Sequence, residues 1–477
     1  MKQGSRMKKI SLIILLLAVV AGLVGPHFAG NSFNQQLDEF AAKISEQPFY
    51  EASIESREQS WFSTTASLVI SLDGAAFGPQ ADDVEQPKLS LTIPIEAQHG
   101  PLLTQSGLGL GWIDWQVNIA IDDPEARFAL PEGEEYIYSA TGIVNLFGTV
   151  SYQDVMPAFT YTHPELALTV AISGWQGNAS LTSDSIDSAT EEAMSVALSF
   201  QSTQIATIEN ISIVTDLEAG LMQAWKNSLY DGVASFTIDG MTIANPTTGE
   251  ETKLKNIVMD SVTSVDQTAG LGDVLVSTKV ASFVNSTLTM QDIQFDLEMA
   301  NLQGSFLKAY SKMTEDIMNS PDEADGVMQA FLKDAGLAQL QVDPEFNLPV
   351  LKGVINESKF DGYANTKVVG IQALPDTMED ARFWAEHAVV DAKLSIEDSA
   401  AVFITELILR SQLAANPQFA VMTDEEQKAL IEQQTQGTIN AFVQQGILSE
   451  TEEGYEITFT MENAEALLNG QPMGLPF

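Results

Sequence analysis

Alternation of apolar and polar side chains with a period of two is the feature that most constrains how this chain folds. Residues 113–121 and 165–172 show it, and the segment KLSLTIPIEA carries its apolar residues at Leu89, Leu91, Ile93 and Ile95. Successive side chains of a β-strand point to opposite faces, so this alternation is typical of strands buried on one side only. The sequence therefore predicts a long, largely antiparallel sheet over residues 48–300, with one apolar and one polar face.

The period of the apolar residues changes to that of helices from about residue 301. It predicts helices at 302–317, 323–335 and 399–413. A further helix begins at the capping box Thr423-Asp424-Glu425-Glu426 and ends at Gly446. We therefore expect an α+β fold in which residues 301–477 form a helical and mixed part, packed with the sheet and ending in a short pair of strands.

The N-terminus carries the signal of a membrane segment. Basic residues at positions 2, 6, 8 and 9 precede the apolar run Ile10–Gly25, which contains a single polar side chain, Ser11. We expect residues 1–30 to be a membrane anchor or uncleaved signal that contacts the inner membrane through residues 10–29. The basic flank would stay in the cytoplasm, and the large remainder would lie in the periplasm. Cleavage of a signal peptide, which would release a secreted protein, is the alternative.

Residues 31–47 predict an amphipathic helix directly after this anchor. One helical face carries the apolar residues Phe33, Leu37, Phe40, Ala41 and Ile44. A helix that continues straight out of the membrane favours an uncleaved anchor over a cleaved signal peptide.

Charge and cysteine content narrow the classes of partner and chemistry. The chain has 22 Lys and Arg against 65 Asp and Glu, a net charge of −43, and it has no cysteine. A field of this sign repels nucleic acid phosphates, so we expect no nucleic acid partner. Disulfides, thiolate metal sites and cysteine nucleophiles are excluded.

No catalytic, cofactor-binding or metal-binding motif stands out, so we expect a protein that is not an enzyme. The four histidines, at positions 27, 99, 163 and 387, are scattered without metal-ligand spacing. His99 follows a predicted strand and precedes Gly100, which permits a sharp turn, and Pro101, which lacks the N–H of a continuing ladder. We interpret His99 as a polar residue at a strand end. Trp61 and Phe62 are expected to fill the core between two strands, or to form a groove or oligomer contact.

Several short motifs give the chain a family resemblance. They are Gly25-Pro26 with Gly30 after the apolar run, Arg57 followed by SWFSTTA, HGPLL at 99–103, and LLNGQPM at 467–473. With these motifs the sequence resembles the YdgA-like family of bacterial inner-membrane proteins, a family of unknown function. That family usually has R-G-W-F-S-S, whereas here Arg57 lies further from Trp61 and Ser60 replaces the glycine. The matching landmark residues are Pro26, Gly30, Trp61, Phe62, Ser63, His99, Gly100, Pro101, Asn469 and Gly470.

The resemblance implies an anchored envelope protein with a large periplasmic part that associates with itself or with envelope partners. It carries over no catalytic residue. We therefore expect a non-enzymatic protein that binds an apolar ligand, such as a lipid, or a protein partner, with a homo-oligomer as one form. The alternatives are a periplasmic hydrolase that uses carboxylates and a secreted soluble protein after signal cleavage.

Overall fold

The computed structural model describes residues 3–47, 49–72, 89–120, 127–163, 166–220, 229–320, 323–414, 419 and 422–475. Side chains are described from residue 24 onward, except at 89, 315, 319, 414 and 424. The side chains of residues 10–23, on which the anchor prediction depends, therefore lie outside the described part. Residues 1–204 with 210–225 form one compact unit, and residues 205–209 with 226–477 form a second.

The chain begins with a single long helix, α1 (Gln3–Ser45), which continues through Pro26. The segments predicted as an anchor, 1–30, and as an amphipathic helix, 31–47, thus belong largely to the same helix. Among the described residues, no helix combines the length and the apolar composition that crossing a membrane requires.

The strands of the first unit pair antiparallel with their neighbours, as the alternation predicts. One ladder has the order β1-β2-β3-β5-β7-β8-β11-β12-β14, and a second has the order β6-β9-β10-β13. The short β4 pairs with β5. The strands are β1 (Tyr50–Gln59), β2 (Ser63–Leu72), β3 (Leu89–His99), β4 (Leu102–Leu103), β5 (Gly109–Ile119), β6 (Phe128–Ala129), β7 (Tyr138–Asn145), β8 (Val150–Met156), β9 (Phe159–His163), β10 (Leu168–Ile172), β11 (Trp175–Leu181), β12 (Ile186–Glu192), β13 (Met194–Phe200) and β14 (Thr203–Leu217), of which residues 205–209 belong to the second unit.

The core of the first unit forms where α1 packs on β2 and β3. Leu37 and Ala41 of the helix meet Ala66, Leu68 and Ile95 of the sheet, with Phe33 and Phe40 alongside them. The apolar helix face predicted from the sequence is therefore confirmed at these four positions. One strand position differs, because Leu91, expected on the inward face, is 44% exposed.

The second unit is an antiparallel meander with helices between its strands. Its order is β15-β16-β17-β18-β19-β20-β21-β23-β24-β25, and β22 also pairs with β23. The strands are β15 (Gly232–Ala244), β16 (Glu251–Asp266), β17 (Leu271–Val284), β18 (Thr289–Gln303), β19 (Glu345–Ile355), β20 (Ser358–Val368), β21 (Ala388–Glu397), β22 (Ser449–Glu450), β23 (Gly454–Glu462), β24 (Glu465–Leu468) and β25 (Gln471–Met473).

The helices of the second unit lie close to the predicted ranges 302–317, 323–335, 399–413 and 423–446, except for a short helix at Ala381–His387 that was not predicted. They are α2 (Gly304–Asn319), α3 (Ala324–Phe331) with a π-helical turn Leu332–Gly336, α4 (Leu337–Leu340), α5 (Ala381–His387), α6 (Asp398–Ala414) and α7 (Asp424–Gln444). Both halves of the capping box at Thr423 and Glu426 are formed, and Gly446 has a φ of 72° just past the end of α7.

The C-terminal part contains more strand than the helical spacing suggested. Residue 300, where the period changes, lies inside β18 of the second unit. The predicted final pair of strands, β23 and β24, is joined by β25. As a whole, the expected α+β class, a large antiparallel β-structure with a few helices, is confirmed.

Candidate functional site

His99 lies at the end of β3, as the sequence suggested, but it is buried. Its Nε2 is 3.1 Å from the hydroxyl of Thr64, and its backbone N–H donates to the carbonyl of Phe62 at 2.7 Å. The imidazole ring lies against Gly30 of α1, where a Cβ on that residue would come within 2.3 Å of the ring Cε1. Glycine is therefore required at position 30 by the close approach of the ring.

Burial sets the protonation state of this histidine. Loss of hydration on burial lowers the pKa of His99, and a hydrogen bond to the backbone of Trp61 offsets part of the effect. The neutral imidazole is therefore the form that fits between α1 and the sheet.

The two residues after His99, Gly100 and Pro101, lie in close backbone contact with Gly111 and Trp112. The N–H of Gly100 donates to the carbonyl of Trp112 at 2.7 Å, and that of Gly111 donates to the carbonyl of Pro101 at 3.0 Å. A Cβ on Gly100 would lie 1.6 Å from the carbonyl oxygen of Gly111, so no other residue fits there without a backbone shift. The Gly100–Pro101 peptide bond is cis.

The turn between β1 and β2 presents two large aromatic side chains. Ser60 and Ser63 close the turn, with 2.7 Å between their hydroxyl oxygens. Trp61 and Phe62 are both about half exposed, so the expectation that they fill the core is wrong. Trp61 instead stacks on His27 of α1, with ring centroids 5.0 Å apart.

Eight of the landmark residues thus come together around the contact between α1 and the sheet. We call this group the landmark cluster; it consists of Pro26, Gly30, Trp61, Phe62, Ser63, His99, Gly100 and Pro101. Its contacts fix a helix on a sheet, and the His99 ring meets a hydroxyl, a glycine and backbone rather than a carboxylate. In the described part of the chain, no three His, Asp or Glu side chains are grouped so that they could hold a metal ion.

Asn469 and Gly470 lie apart from the landmark cluster, in the second unit. They form the two-residue turn between β24 and β25, where both have positive φ, 50° and 74°. The Asn469 side chain accepts from the Thr458 N–H at 2.7 Å and donates to the carbonyls of Gly446 and Ile447 at 2.8 and 3.0 Å. This motif therefore joins the last hairpin, β23 and the end of α7.

An apolar row crosses the sheet of the second unit. Residues paired directly across neighbouring strands share a face, and one such row contains Phe236, Met259, Thr278, Phe295, Leu351, Gly362, Leu394 and Ile457. The adjacent row, on the other face, contains Thr237, Val258, Lys279, Gln294, Lys352, Asp361, Ser395 and Glu456. One face is therefore apolar and the other polar, as the alternation predicts.

Part of this apolar face is open to solvent. A groove of about 240 Å³ lies on it, and its walls include Leu348, Leu351, Leu394, Ile457 and Phe459. On the same face, toward β17 and β18, large side chains remain exposed, with Phe346 at 50% and Leu297 at 49%. We call the groove and these neighbours the apolar face; it is the candidate ligand-binding surface of the chain.

A cluster of hydrogen-bonded polar side chains lies on the sheet of the first unit. Asp154 of β8 accepts from the indole N–H of Trp175 at 2.9 Å, and the hydroxyls of Tyr138 and Tyr152 are 2.6 Å apart. Burial raises the pKa of Asp154 and also that of both tyrosines. This carboxylate is therefore costlier to ionise than a solvated one.

Sequence reasoning missed several of these residues. Trp112 lies in no motif, and Thr64 was identified only as part of SWFSTTA. Thr64 matters because it contacts His99, and Trp112 because it contacts Gly100 and Gly25. The apolar row was signalled by the alternation, but its openness depends on which helices cover it, and that is a property of the tertiary structure.

Comparison with known proteins places these features in a family. Residues 7–476 match the model of a family described as "Bacterial protein of unknown function (DUF945)". No curated protein and no solved structure matches the chain.

Proposed function

We propose that this chain, which belongs to the DUF945 family of bacterial proteins of unknown function, is a non-enzymatic protein anchored in the inner membrane. In this proposal the large remainder lies in the periplasm, and its second unit binds an acyl chain on the apolar face. The single observation that carries the proposal is the open groove of about 240 Å³ with apolar walls.

The chemistry of the groove favours an alkyl chain as its occupant. The side chains that face the groove from β19 and β23, such as Leu351, Ile457 and Phe459, are apolar. A ligand with hydrogen-bonding groups along its length would lose its hydration there without replacement. An alkyl chain gains about 0.8 kcal/mol for each methylene removed from water.

The exposed residues beside the groove support the same occupant. Large contiguous apolar surfaces on soluble proteins usually mark sites of interaction. Met259, Leu297, Met299 and Phe346 are all more than one third exposed, and the register places them on one face. They would extend the contact of a long chain beyond the groove.

The anchor rests on the N-terminal sequence and on the course of α1. The basic flank and the apolar run Ile10–Gly25 are typical of a segment that enters the membrane from the cytoplasm. Because α1 runs without a break from Gln3 to Ser45, the apolar run leads directly into the first unit.

The hydrolase alternative would need a histidine or carboxylate poised for proton transfer. The His99 ring contacts Thr64 and Gly30, and the proposal therefore assigns no catalytic residue.

Photo-crosslinking from phospholipid acyl chains tests the proposal. The full chain is produced in bacterial membranes or reconstituted in vesicles that contain a phospholipid with a diazirine in one acyl chain. After irradiation, crosslinked peptides are mapped by mass spectrometry. We expect crosslinks at residues 10–29 from the anchor and at 346–351 and 457–459 from the apolar face.

Matched variants separate the groove from other apolar surface. Leu351→Asp places a carboxylate in the groove and should abolish the crosslinks there, whereas Leu407→Asp, on the half-exposed surface of α6, should leave them unchanged. Crosslinks confined to residues 10–29 would contradict acyl-chain binding. Full recovery of the protein in the soluble fraction after carbonate washing would contradict the anchor and favour secretion.

A further inference from the structure

One end of the first unit carries a group of exposed apolar side chains that we call the collar. Phe147 is 95% exposed and Leu108 is 84% exposed, the highest values among the large apolar residues of the described chain. Around them are others that are about half exposed or more. The collar consists of Phe28, Trp61, Phe62, Leu102, Leu108, Leu110 and Phe147.

The loops that carry the collar surround α1 at residues 25–30. Gly25 packs on the indole of Trp112, with 3.0 Å between a Cβ placed on Gly25 and the ring Cζ3, and the indole N–H of Trp112 donates to the carbonyl of Leu146 at 3.2 Å. Trp61 stacks on His27, and the strand pairing places Leu102 opposite Leu110. The β1–β2 turn, the β4–β5 hairpin and the β7–β8 turn therefore meet around the same part of the helix.

These segments also exclude charge. Asp, Glu, Lys and Arg make up 18% of the chain, yet none occurs at residues 10–37, 59–72, 97–113 or 136–153. The collar loops thus expose apolar side chains and contain no charged residue. Contact with lipid requires both properties, whereas contact with water requires neither.

We propose that the collar inserts into the outer leaflet of the same bilayer that holds the N-terminal anchor. The inference rests on the anchor of the proposed function, and it adds a second contact with the membrane, made by the folded unit itself. The partner of the collar is lipid because α1 joins the collar to the apolar run Ile10–Gly25 without any intervening loop.

The length of the apolar run explains why the collar would be drawn into the bilayer. Sixteen helical residues from Ile10 to Gly25 span about 24 Å, whereas the hydrocarbon core is about 30 Å thick. A short span pulls its flanking residues toward the membrane. The next helical residues, Pro26–Phe28, already lie within the collar, so insertion of the collar supplies the missing length.

The aromatic residues of the collar suit the interface between lipid and water. Trp61 is half exposed and rests on His27, which places an amphipathic ring beside the helix. Tryptophan is enriched at this depth in membrane proteins. The whole chain has a net charge of −43, so its acidic remainder would be repelled by anionic headgroups, and the uncharged collar is the part that can approach them.

Fluorescent labels on single cysteines test the collar, since the chain has no cysteine of its own. Phe147→Cys and Leu108→Cys are labelled with a polarity-sensitive dye in the full chain. The protein is then reconstituted in phosphatidylcholine vesicles with and without brominated acyl chains. If the collar lies in the bilayer, the emission of both labels should be blue-shifted. Brominated acyl chains should quench most of this emission.

Leu166→Cys is the matched control, because Leu166 is 58% exposed and lies in the same unit outside the collar loops. Its label should stay in water and be unaffected by bromine. A protein that floats with the vesicles while the labels at 108 and 147 remain water-exposed would overturn the collar and leave the anchor standing. A blue shift that grows with protein concentration and is not quenched by brominated lipid would overturn insertion of the collar. It would show instead that the collar contacts a second copy of the chain. Failure to float would overturn the anchor and the collar together.

Discussion

At the scale of single residues, the contact between Gly30 and His99 decides how α1 sits on the sheet. Gly30→Ala should lower the free energy of unfolding by about 1–2 kcal/mol, because the added methyl would overlap the ring of His99. Chemical denaturation followed by tryptophan fluorescence measures the change. In the double variant Gly30→Ala/His99→Ala the methyl enters vacated space, so the two effects should not add.

Gly437→Ala is the control for this substitution, since it is also a helical glycine but has open space around its Cβ position. It should raise the free energy of unfolding by about 0.5–1 kcal/mol through helix propensity. Equal effects of the two alanine substitutions would contradict the proposed fit.

Asp154 gives a prediction with a definite pH dependence. Burial raises its pKa in the folded state above the ordinary 3.8, so ionisation at higher pH costs folding free energy. Asp154→Asn, which can still accept from Trp175, should raise the melting temperature at pH 7. The gain should shrink as the pH falls through the raised pKa of the folded state toward 3.8, and it should vanish below 3.8, where the carboxyl becomes protonated in both states. A gain that persists undiminished below pH 3.8 would contradict the shift.

The sequence predicted the end of β3 because the reason is local: proline has no N–H for the ladder. It did not predict the burial of His99, since that depends on a helix from a distant part of the chain. Trp61 and Phe62 were misplaced for the same kind of reason, because large aromatic rings ordinarily fill cores and only the tertiary structure exposes these two.

At the scale of elements, the sequence predicted well those helix ends that are determined by neighbouring residues, such as the capping box of α7. Thr423→Ala removes the hydroxyl that accepts from the Glu426 N–H and should lower the free energy of unfolding by about 1 kcal/mol. Hydrogen exchange should be faster in the first turn of α7. Thr438→Ala, inside the same helix, should not speed exchange there.

The last hairpin offers a test of the Asn469-Gly470 turn. Asn469→Ala loses the side-chain bonds to Thr458, Gly446 and Ile447 and puts alanine at a φ of 50°, so it should cost about 2 kcal/mol or more. Asn469→Gly keeps the backbone conformation and loses only the bonds, so thermal unfolding should place it between the wild type and the alanine variant. Identical glycine and alanine variants would show that the conformation contributes nothing.

The long helix α1 was divided in the sequence interpretation at residues 30 and 31. Proline inside a helix costs about 3 kcal/mol in isolation. In the fold, Pro26 is fully buried and its neighbours pack on Trp112 and His99, so packing offsets the local cost.

At the scale of the whole molecule, the alternation predicted the antiparallel meander but not its division. The chain passes from the first compact unit to the second between residues 204 and 226. We expect denaturation in two transitions, because the chain divides into two units that are each compact. Gly30→Ala should shift one transition and Asn469→Ala the other. A single transition that both variants shift equally would contradict independent units.

In the proposed anchored protein, the unbroken helix α1 would connect the bilayer to the first sheet without a break. Membrane proteins with a flexible tether leave their outer domains free to tumble, and their orientation averages out. Here the same rod that would cross the bilayer lies along the first sheet as far as Ser45. The sheet would therefore tilt together with the transmembrane part of the helix. Because a helix changes its tilt to match the thickness of the bilayer, a bilayer of different thickness would rotate the whole first unit rather than only raise or lower it.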